Sequence, residues 1–388
     1  MTKLYYLAHY SDPSKYSNRK TAPAADTKID YIISSLKKLG YDVEVLSFCV
    51  DDDRRKFLER KPGYRIVKNG VPVQYFDNYA SSYRLFRVLG RIVSWWKISH
   101  FLCKKIKGTD CKIVVYHSLG LLKLNKLLQK IGKDYILEVE EIYEDVIGNA
   151  RIRRKEIETI KKANGYIFPT KLLDSQLNVE NRPAIIIHGT YQVEPERECK
   201  NKHETLQQDT TKTIHCVYAG TFDPRKGGAA AAAAAAEFLP FGYHIHILGF
   251  GSEEEKKNMQ DTIDGIAKKS KAKVTYDGLL TGEDYIRFIQ SCDIGLSTQN
   301  PDAAFNATSF PSKILSYMAN GLRVVSIRIP AIEQSAVGGM LYYYDKQTPE
   351  EIAKAILSVN MQDGYDSREI IRKLDKQFQR DLNGLLEK

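Results

Sequence analysis

Short apolar runs rich in β-formers alternate with stretches of helical periodicity through most of this sequence, and the alternation begins twice. KLYYLAHY, starting at Lys3, is followed by TKIDYIISSLKKLG, in which Ile29, Ile32, Ile33 and Leu36 share one helix face, and then by YDVEVLSF. Gly40 follows lysines in the last turn, a usual helix stop. CKIVVYHS, LLKLNKLLQKIG and DYILEVEEIY repeat strand, helix, strand, and NGYIFPT and PAIIIHG add two short strands. Alternation of this kind predicts an α/β protein with parallel sheets covered by helices on both faces.

From Tyr191 to Lys212 the sequence YQVEPERECKNKHETLQQDTTK is polar and of mixed charge, and reads as a linker. The alternation then restarts with TIHCVYAG, YHIHILGFG, AKVTYDG, CDIGLST, LRVVSI and GMLYYY as strands, and EDYIRFIQS, PSKILSYMAN and PEEIAKAILS as helices. The expected organisation is one Rossmann-like domain over 1–190, a linker over 191–212, a second such domain over 213–360 and a terminal helix within 361–388. A chain of 388 residues accommodates two domains of the usual ~100–200 residues each. Open parallel sheets bind ligands outside the carboxyl ends of their strands, so two in tandem predict a binding cleft. The eight alanines Ala229 to Ala236 suit a helix and carry no functional reading.

Composition sets broad limits. With 43% hydrophobic and 27% charged residues the chain is an ordinary globular protein. Its six cysteines are scattered, without a C-x-x-C pair, and are expected to be reduced thiols. No signal-peptide pattern opens the sequence and no window has the ~20 apolar residues of a membrane span, so a cytoplasmic location is expected. The net charge of +10 favours anionic partners without choosing among nucleic acid, lipid and sugar phosphate. No nucleic-acid-binding motif accompanies it.

AGTFDPRKGG is the most informative stretch. A strand turns through Gly220 to Arg225, Lys226 and two further glycines and enters a helix, an arrangement suited to a diphosphate; a solvated turn is the plain alternative. HILGFGSEEE, VTYDGLLTGEDYIRFIQSCDIGLST and SFPSKILSYMANGLRVVS follow in that order, at the spacing of successive strand–helix units. GFGSEEE does not read as a dinucleotide fingerprint, since three consecutive acids repel a pyrophosphate.

This ordered set resembles the nucleotide-sugar-binding half of GT-B glycosyltransferases, most nearly the large retaining family four, over about residues 214 to 357. KLGYDVEVLS and ANGYIFPT extend the resemblance more weakly into the first half. The resemblance implies a GT-B fold with two Rossmann-like domains facing a cleft and a C-terminal helix crossing back onto the first, a nucleoside-diphosphate sugar as donor, and donor contacts from Gly220, Arg225, Lys226, Gly249, Gly251, Thr308, Ser309, Phe310, Lys313 and Ser316. Lys226 takes the place of the diphosphate-binding basic residue. Thr221 stands where many relatives have a second arginine, with Arg225 as its replacement. Gly249 and Gly251 either admit the nucleotide closely or simply make a turn. The family's paired glutamates fall at Thr308 and Ser316, so both carboxylates are absent. Lys313 lies one turn before Ser316 on the same helix face, where it is either within reach of a phosphate or ribose oxygen or a surface lysine of an amphipathic helix.

In the first half, Glu138, Glu140, Glu141 and Glu144 cluster after a strand, and His117 ends another. Glu140, Glu141 and His117 are the candidates for acceptor binding or proton transfer; a solvated loop and a structural histidine are equally good readings. Tyr83 to Lys107 carries seven basic residues and no acid. Arg84, Arg87 and Arg91 recur opposite Leu85, Val88, Leu89, Ile92 and Trp96, as in a helix lying on an anionic membrane or in one whose apolar face is core. No set of histidines and acids reads as a metal site by spacing, and no metal or other cofactor is expected.

The reading is a metal-independent, retaining, hexosyltransferase-like enzyme. It moves sugar from a nucleotide sugar to a glycan or lipid-linked acceptor in cell-surface polysaccharide synthesis, peripheral on the inner face of the membrane. The alternative is a non-catalytic nucleotide-sugar-binding scaffold.

Overall fold

The computed structural model describes residues 1–11, 23–50, 58–197, 213–223, 228–301 and 308–387. The chain divides into two compact units: 1–169 with 173–187 and 378–388, and 170–172 with 188–377. Tyr191, inside the expected linker, is buried, and Glu194 N donates to Ala319 O at 3.1 Å within the second unit. The rest of that linker, 198–212, lies outside the described residues.

The first unit is built on β1 (Lys3–Ala8), β2 (Asp42–Ser47), β3 (Glu59–Lys61), β4 (Tyr64–Lys68), β5 (Val71–Tyr75), β6 (Asn78–Ala80), β7 (Cys111–Tyr116), β8 (Ile136–Glu138), β9 (Gly165–Phe168) and β10 (Ala184–Ile186). Its main sheet runs β10-β9-β8-β7-β1-β2-β5-β4, parallel except for the antiparallel pair β4 and β5, while β3 and β6 pair separately. The central strands read as unbroken apolar runs because helices cover both faces; β9 is buried at all four positions. Asn69 and Gly70, at φ 53° and 71°, make the tight turn between β4 and β5, for which two positive φ values suit the strand twist.

The second unit contains β11 (Ile214–Thr221), β12 (Tyr243–Phe250), β13 (Lys273–Gly278), β14 (Ile294–Ser297), β15 (Arg323–Ile327) and β16 (Tyr342–Tyr344). All pairings are parallel, in the order β13-β12-β11-β14-β15-β16. Counted from the first strand this is 3-2-1-4-5-6, the dinucleotide-fold order, and its reversal falls between β11 and β14. The terminal helix Ser367–Glu387 is shared: from Phe378 onward it groups with the first unit, where Phe378 stacks on Tyr31 at 5.5 Å. This is the crossing-back expected of it.

Candidate functional site

Strand order locates the site in the second unit. Where neighbouring strands send their connections to opposite sides, their carboxyl ends diverge and leave a crevice. Gly220 lies at that end of β11, and Lys313 begins the helix Lys313–Ala319 that leads from β14 to β15. The two meet, for a Cβ on Gly220 would lie 3.0 Å from Lys313 Nζ. The ammonium stands 4.1 Å from the centroid of the Tyr218 ring, and Tyr218 is held by donating its hydroxyl to Thr221 O at 3.0 Å. No hydrogen bond or ion pair reaches Lys313 Nζ among the described residues, and burial alone pushes its pKa down to about 8. A desolvated cation without a carboxylate, at the switch point of a dinucleotide-type sheet, suits a bound anion.

The surroundings fix this geometry. Gly295 on β14 has no side chain because a Cβ would lie 2.3 Å from the Tyr317 ring, and Tyr317 OH accepts from Ala219 N at 2.8 Å. Gly228 opens the helix after the β11 turn; a Cβ there would overlap Thr298 O, whose own side chain donates to Gly228 O at 2.8 Å. That helix, Ala229–Ala234, is six residues long, so its dipole is a smaller asset than the sequence suggests. Arg225 and Lys226 lie outside the described residues.

The other expected donor contacts divide. Gly249 approaches the protein itself: a Cβ would lie 1.9 Å from Gly220 O. Gly251 gives room to Glu255, which closes the capping box of the helix Glu253–Ala267 with Ser252. Both glycines are thus explained by packing. Thr308 O accepts from Thr170 Oγ1 at 2.6 Å, Ser309 is half-buried, and Phe310 packs on His188 with ring centroids 4.9 Å apart. Ser316 Oγ lies 3.5 Å from Tyr285 OH, one turn along from Lys313.

In the first unit the three candidates from sequence gather at the carboxyl ends of β7 and β8, and His117 and Glu140 each have a charged partner. His117 is 1% exposed, and its Nε2 pairs with Glu156 Oε1 at 2.8 Å. The same carboxylate accepts from Tyr143 N at 2.9 Å and Glu144 N at 3.2 Å, so the pair anchors the loop after β8. Glu140 is ion-paired with the buried Lys28, which also lies 4.0 Å from Glu138; Glu141 is half-buried. Sequence reading gave Glu138 no separate part. It is fully buried and accepts the hydroxyl of Tyr6, and burial raises its pKa to about 8 against the opposing pull of Lys28.

The first unit also holds a cavity of about 790 Å³, lined by residues that follow β1 and β2 and by the helix Arg84–Ile106. His9, Trp95, Arg87, Arg91, Lys123 and Lys126 are among its walls, giving an apolar interior with basic groups. Burial lowers the His9 pKa, and Gly120 leaves room for that ring, since a Cβ would sit 2.8 Å from Nε2. The helix buries Ile98, Leu102 and Ile106 but exposes Leu85, Val88, Leu89, Ile92 and Trp96, the last at 68%. The core alternative therefore fails for this stripe. No helix among the described residues is long and apolar enough to cross a membrane.

Comparison with known proteins agrees with this architecture. Residues 213–361 match the family model described as glycosyl transferases group 1. No curated protein matches the sequence. Among solved structures, OtsA in its apo form is 12% identical with a TM-score of 0.66, covering 100% of this chain and 99% of its own. The lipopolysaccharide outer core galactosyltransferase WaaB, in its apo form, is 13% identical with a TM-score of 0.63, covering 99% of each chain. Anabaena HepE in complex with UDP is 14% identical with a TM-score of 0.63, covering 100% of this chain and 98% of its own. Such low identities establish shared architecture alone. The chain has the GT-B fold, two Rossmann-like parallel-sheet domains, and its residues 213–361 match the family model of glycosyl transferases group 1.

Proposed function

We propose that the protein transfers a glycosyl group from a nucleoside-diphosphate sugar to a lipid-linked sugar acceptor, in the building of a cell-surface glycan. The observation that carries this reading is the uncompensated Lys313 ammonium beside Gly220. A nucleoside diphosphate supplies the missing negative charge, and the lack of a side chain at Gly220, near the end of β11, lets its phosphates approach the backbone. Arg225 and Lys226 follow Gly220 five and six residues on in the sequence and are the further cations of this reading.

In the reaction, the bond between the anomeric carbon and the diphosphate oxygen breaks, and the leaving group keeps the electron pair. Lys313 stabilises the charge that accumulates on it, a role that grows toward the transition state. The acceptor hydroxyl oxygen forms the new bond to the anomeric carbon. With retained stereochemistry it arrives on the face the diphosphate leaves, and its proton passes to a departing phosphate oxygen. These steps use side-chain cations and call for no metal. Glu140, oriented by its ion pair with Lys28, and Glu141 bind acceptor hydroxyls, and His117 positions the loop that carries them.

The acceptor class follows from the first unit. A basic-rimmed apolar cavity suits a sugar carried on a phosphorylated lipid, and the exposed stripe from Leu85 to Trp96 suits the edge of an anionic bilayer. The protein is then peripheral on the cytoplasmic face. The test is sugar release and transfer from a panel of UDP-, GDP- and ADP-sugars, with and without lipid extract. Donor-dependent transfer that Lys313→Ala abolishes or weakens supports the reading; nucleotide binding without turnover in any extract replaces it with the scaffold alternative.

A further inference from the structure

The other end of the second sheet carries an arrangement that the transfer reaction does not use. His215 on β11 and His244 and His246 on β12 bring one ring nitrogen each within 4.8 Å of the others. The parallel register sets His215 opposite His244, and H-x-H spacing on a strand turns His244 and His246 to the same face. His215 and Gly220 are five residues apart on β11, so at ~3.3 Å per residue the cluster lies roughly 16 Å from the Lys313 site.

Hydrogen bonding orients these rings. Asp277 Oδ2 accepts from Thr275 Oγ1 at 2.8 Å and pairs with His246 Nδ1 at 3.1 Å. His246 therefore carries its proton on Nδ1 and has its lone pair on Nε2. Because the Thr275 proton is committed to Asp277, Thr275 Oγ1 can only accept from His244 Nε2, 2.9 Å away. That leaves the His244 lone pair on Nδ1. His246 Nε2 faces His215 Nδ1 at 2.9 Å, and Phe288 walls the cluster edge-on, 5.1 Å from the His246 ring. His244 and His246 are each 8% exposed.

We propose that His215, His244 and His246 form a binding site for a borderline divalent transition ion of the zinc class, with Asp277 and Thr275 as its supporting shell. Imidazole nitrogens suit such an ion at ~2.0–2.1 Å, which sets tetrahedral partners ~3.3 Å apart. The present separations bracket that value, from 2.9 Å between His215 and His246 to a limit of 4.8 Å. A carboxylate behind a ligating histidine is the usual outer arrangement of such sites. His215 turns over its tautomer on binding, moving its proton to Nε2, and a water completes the set. The ion ties β11 to β12 away from the donor, so its part is structural.

The probe is Zn²⁺ itself, titrated calorimetrically into metal-stripped full-length protein, with Co²⁺ as the spectroscopic reporter. The expected result is one equivalent per chain, tetrahedral visible bands from Co²⁺ that Zn²⁺ abolishes, and a raised melting temperature. Asp277→Asn, which keeps the fold and the side-chain volume, weakens binding 10- to 100-fold. His246→Ala abolishes it, and His100→Ala, at an exposed histidine, leaves it unchanged. Absence of a stoichiometric site in the folded wild type, or binding that survives His246→Ala, overturns the proposal. Neither outcome bears on transferase activity, so this inference stands or falls apart from the proposed function.

Discussion

Lys313 Nζ stands 4.1 Å above the ring of Tyr218 and would lie 3.0 Å from a Cβ at Gly220, so one ammonium closes the crevice at the end of β11. The ring face gives the cation a partial partner, worth about 0.5–2 kcal/mol, but it supplies no charge. Replacing Lys313 with Ala should weaken nucleoside diphosphate binding by about 1.5–3 kcal/mol, the scale of a charge-assisted hydrogen bond. Calorimetry at neutral pH checks this. Unchanged affinity removes Lys313 from the site.

The same residue links pH to binding. Its pKa of about 8 in the free protein means that the cation is lost as pH rises through 8. A bound diphosphate favours the charged form, so binding between pH 8 and 9 should take up a proton. Calorimetry in buffers of different ionisation enthalpy reads that proton directly, and Lys313→Met should show none from this group.

Folding stability should move the opposite way. A lysine pKa below its unfolded value of about 10.4 costs folding free energy wherever both states are protonated, here below pH 8, and the cost fades as pH rises toward 10.4. Lys313→Met should therefore raise the ligand-free melting temperature at pH 7, by about 1–3 kcal/mol in stability, and the gain should shrink above pH 8. A variant less stable than wild type at pH 7 would mean that the ammonium is already paired.

Much of the fold that frames this candidate site was legible in the sequence, and the reasons are physical. Buried parallel strands must be apolar on both faces, so runs such as IHCVYAG and RVVSI announce themselves, and their order carries the switch point with it. The β4–β5 hairpin carried a readable signal, Asn69–Gly70 between two β-rich runs, but β3 and β6 are three residues long, too short for any period to show. Helical periodicity finds the Leu85 to Trp96 stripe and cannot tell whether it meets core or solvent. The histidine cluster forms only through strand register, which brings together His215 and His244, 29 positions apart in the sequence. His244-x-His246 was the one local hint.

Exposure of that stripe makes a testable surface. Full-length protein should co-sediment with anionic vesicles at low salt and release as salt rises, since each basic residue near the surface contributes about 1 kcal/mol. Reversing Arg84, Arg87 and Arg91 to Glu should abolish co-sedimentation. Trp96→Ser should weaken it at all salt concentrations, because it removes buried apolar area and no charge. Binding by the triple variant equal to wild type would show that the helix does not meet the bilayer.

The absent glutamates give the sharpest question about turnover. A carboxylate that holds ribose hydroxyls contributes charged hydrogen bonds of about 1.5–3 kcal/mol but takes no proton in the reaction, so its loss should raise the donor KM and leave chemistry intact. At Ser316 the structure keeps a hydroxyl, 3.5 Å from Tyr285 OH, and one turn away it keeps Lys313. Ser316→Glu reinstates the charge three residues after that lysine, within reach of an i,i+3 ion pair. Two effects then oppose each other: the new carboxylate binds ribose, and it also draws on the ammonium that the diphosphate needs. The surface value of an i,i+3 pair is only about 0.2–0.5 kcal/mol, well below a charged hydrogen bond to ribose, so the net expectation is tighter UDP binding and a lower donor KM. Calorimetry with UDP and steady-state transfer kinetics measure the two together. Weaker binding in Ser316→Glu would show that pairing with Lys313 wins, and unchanged binding would show that the ribose is held elsewhere in the domain.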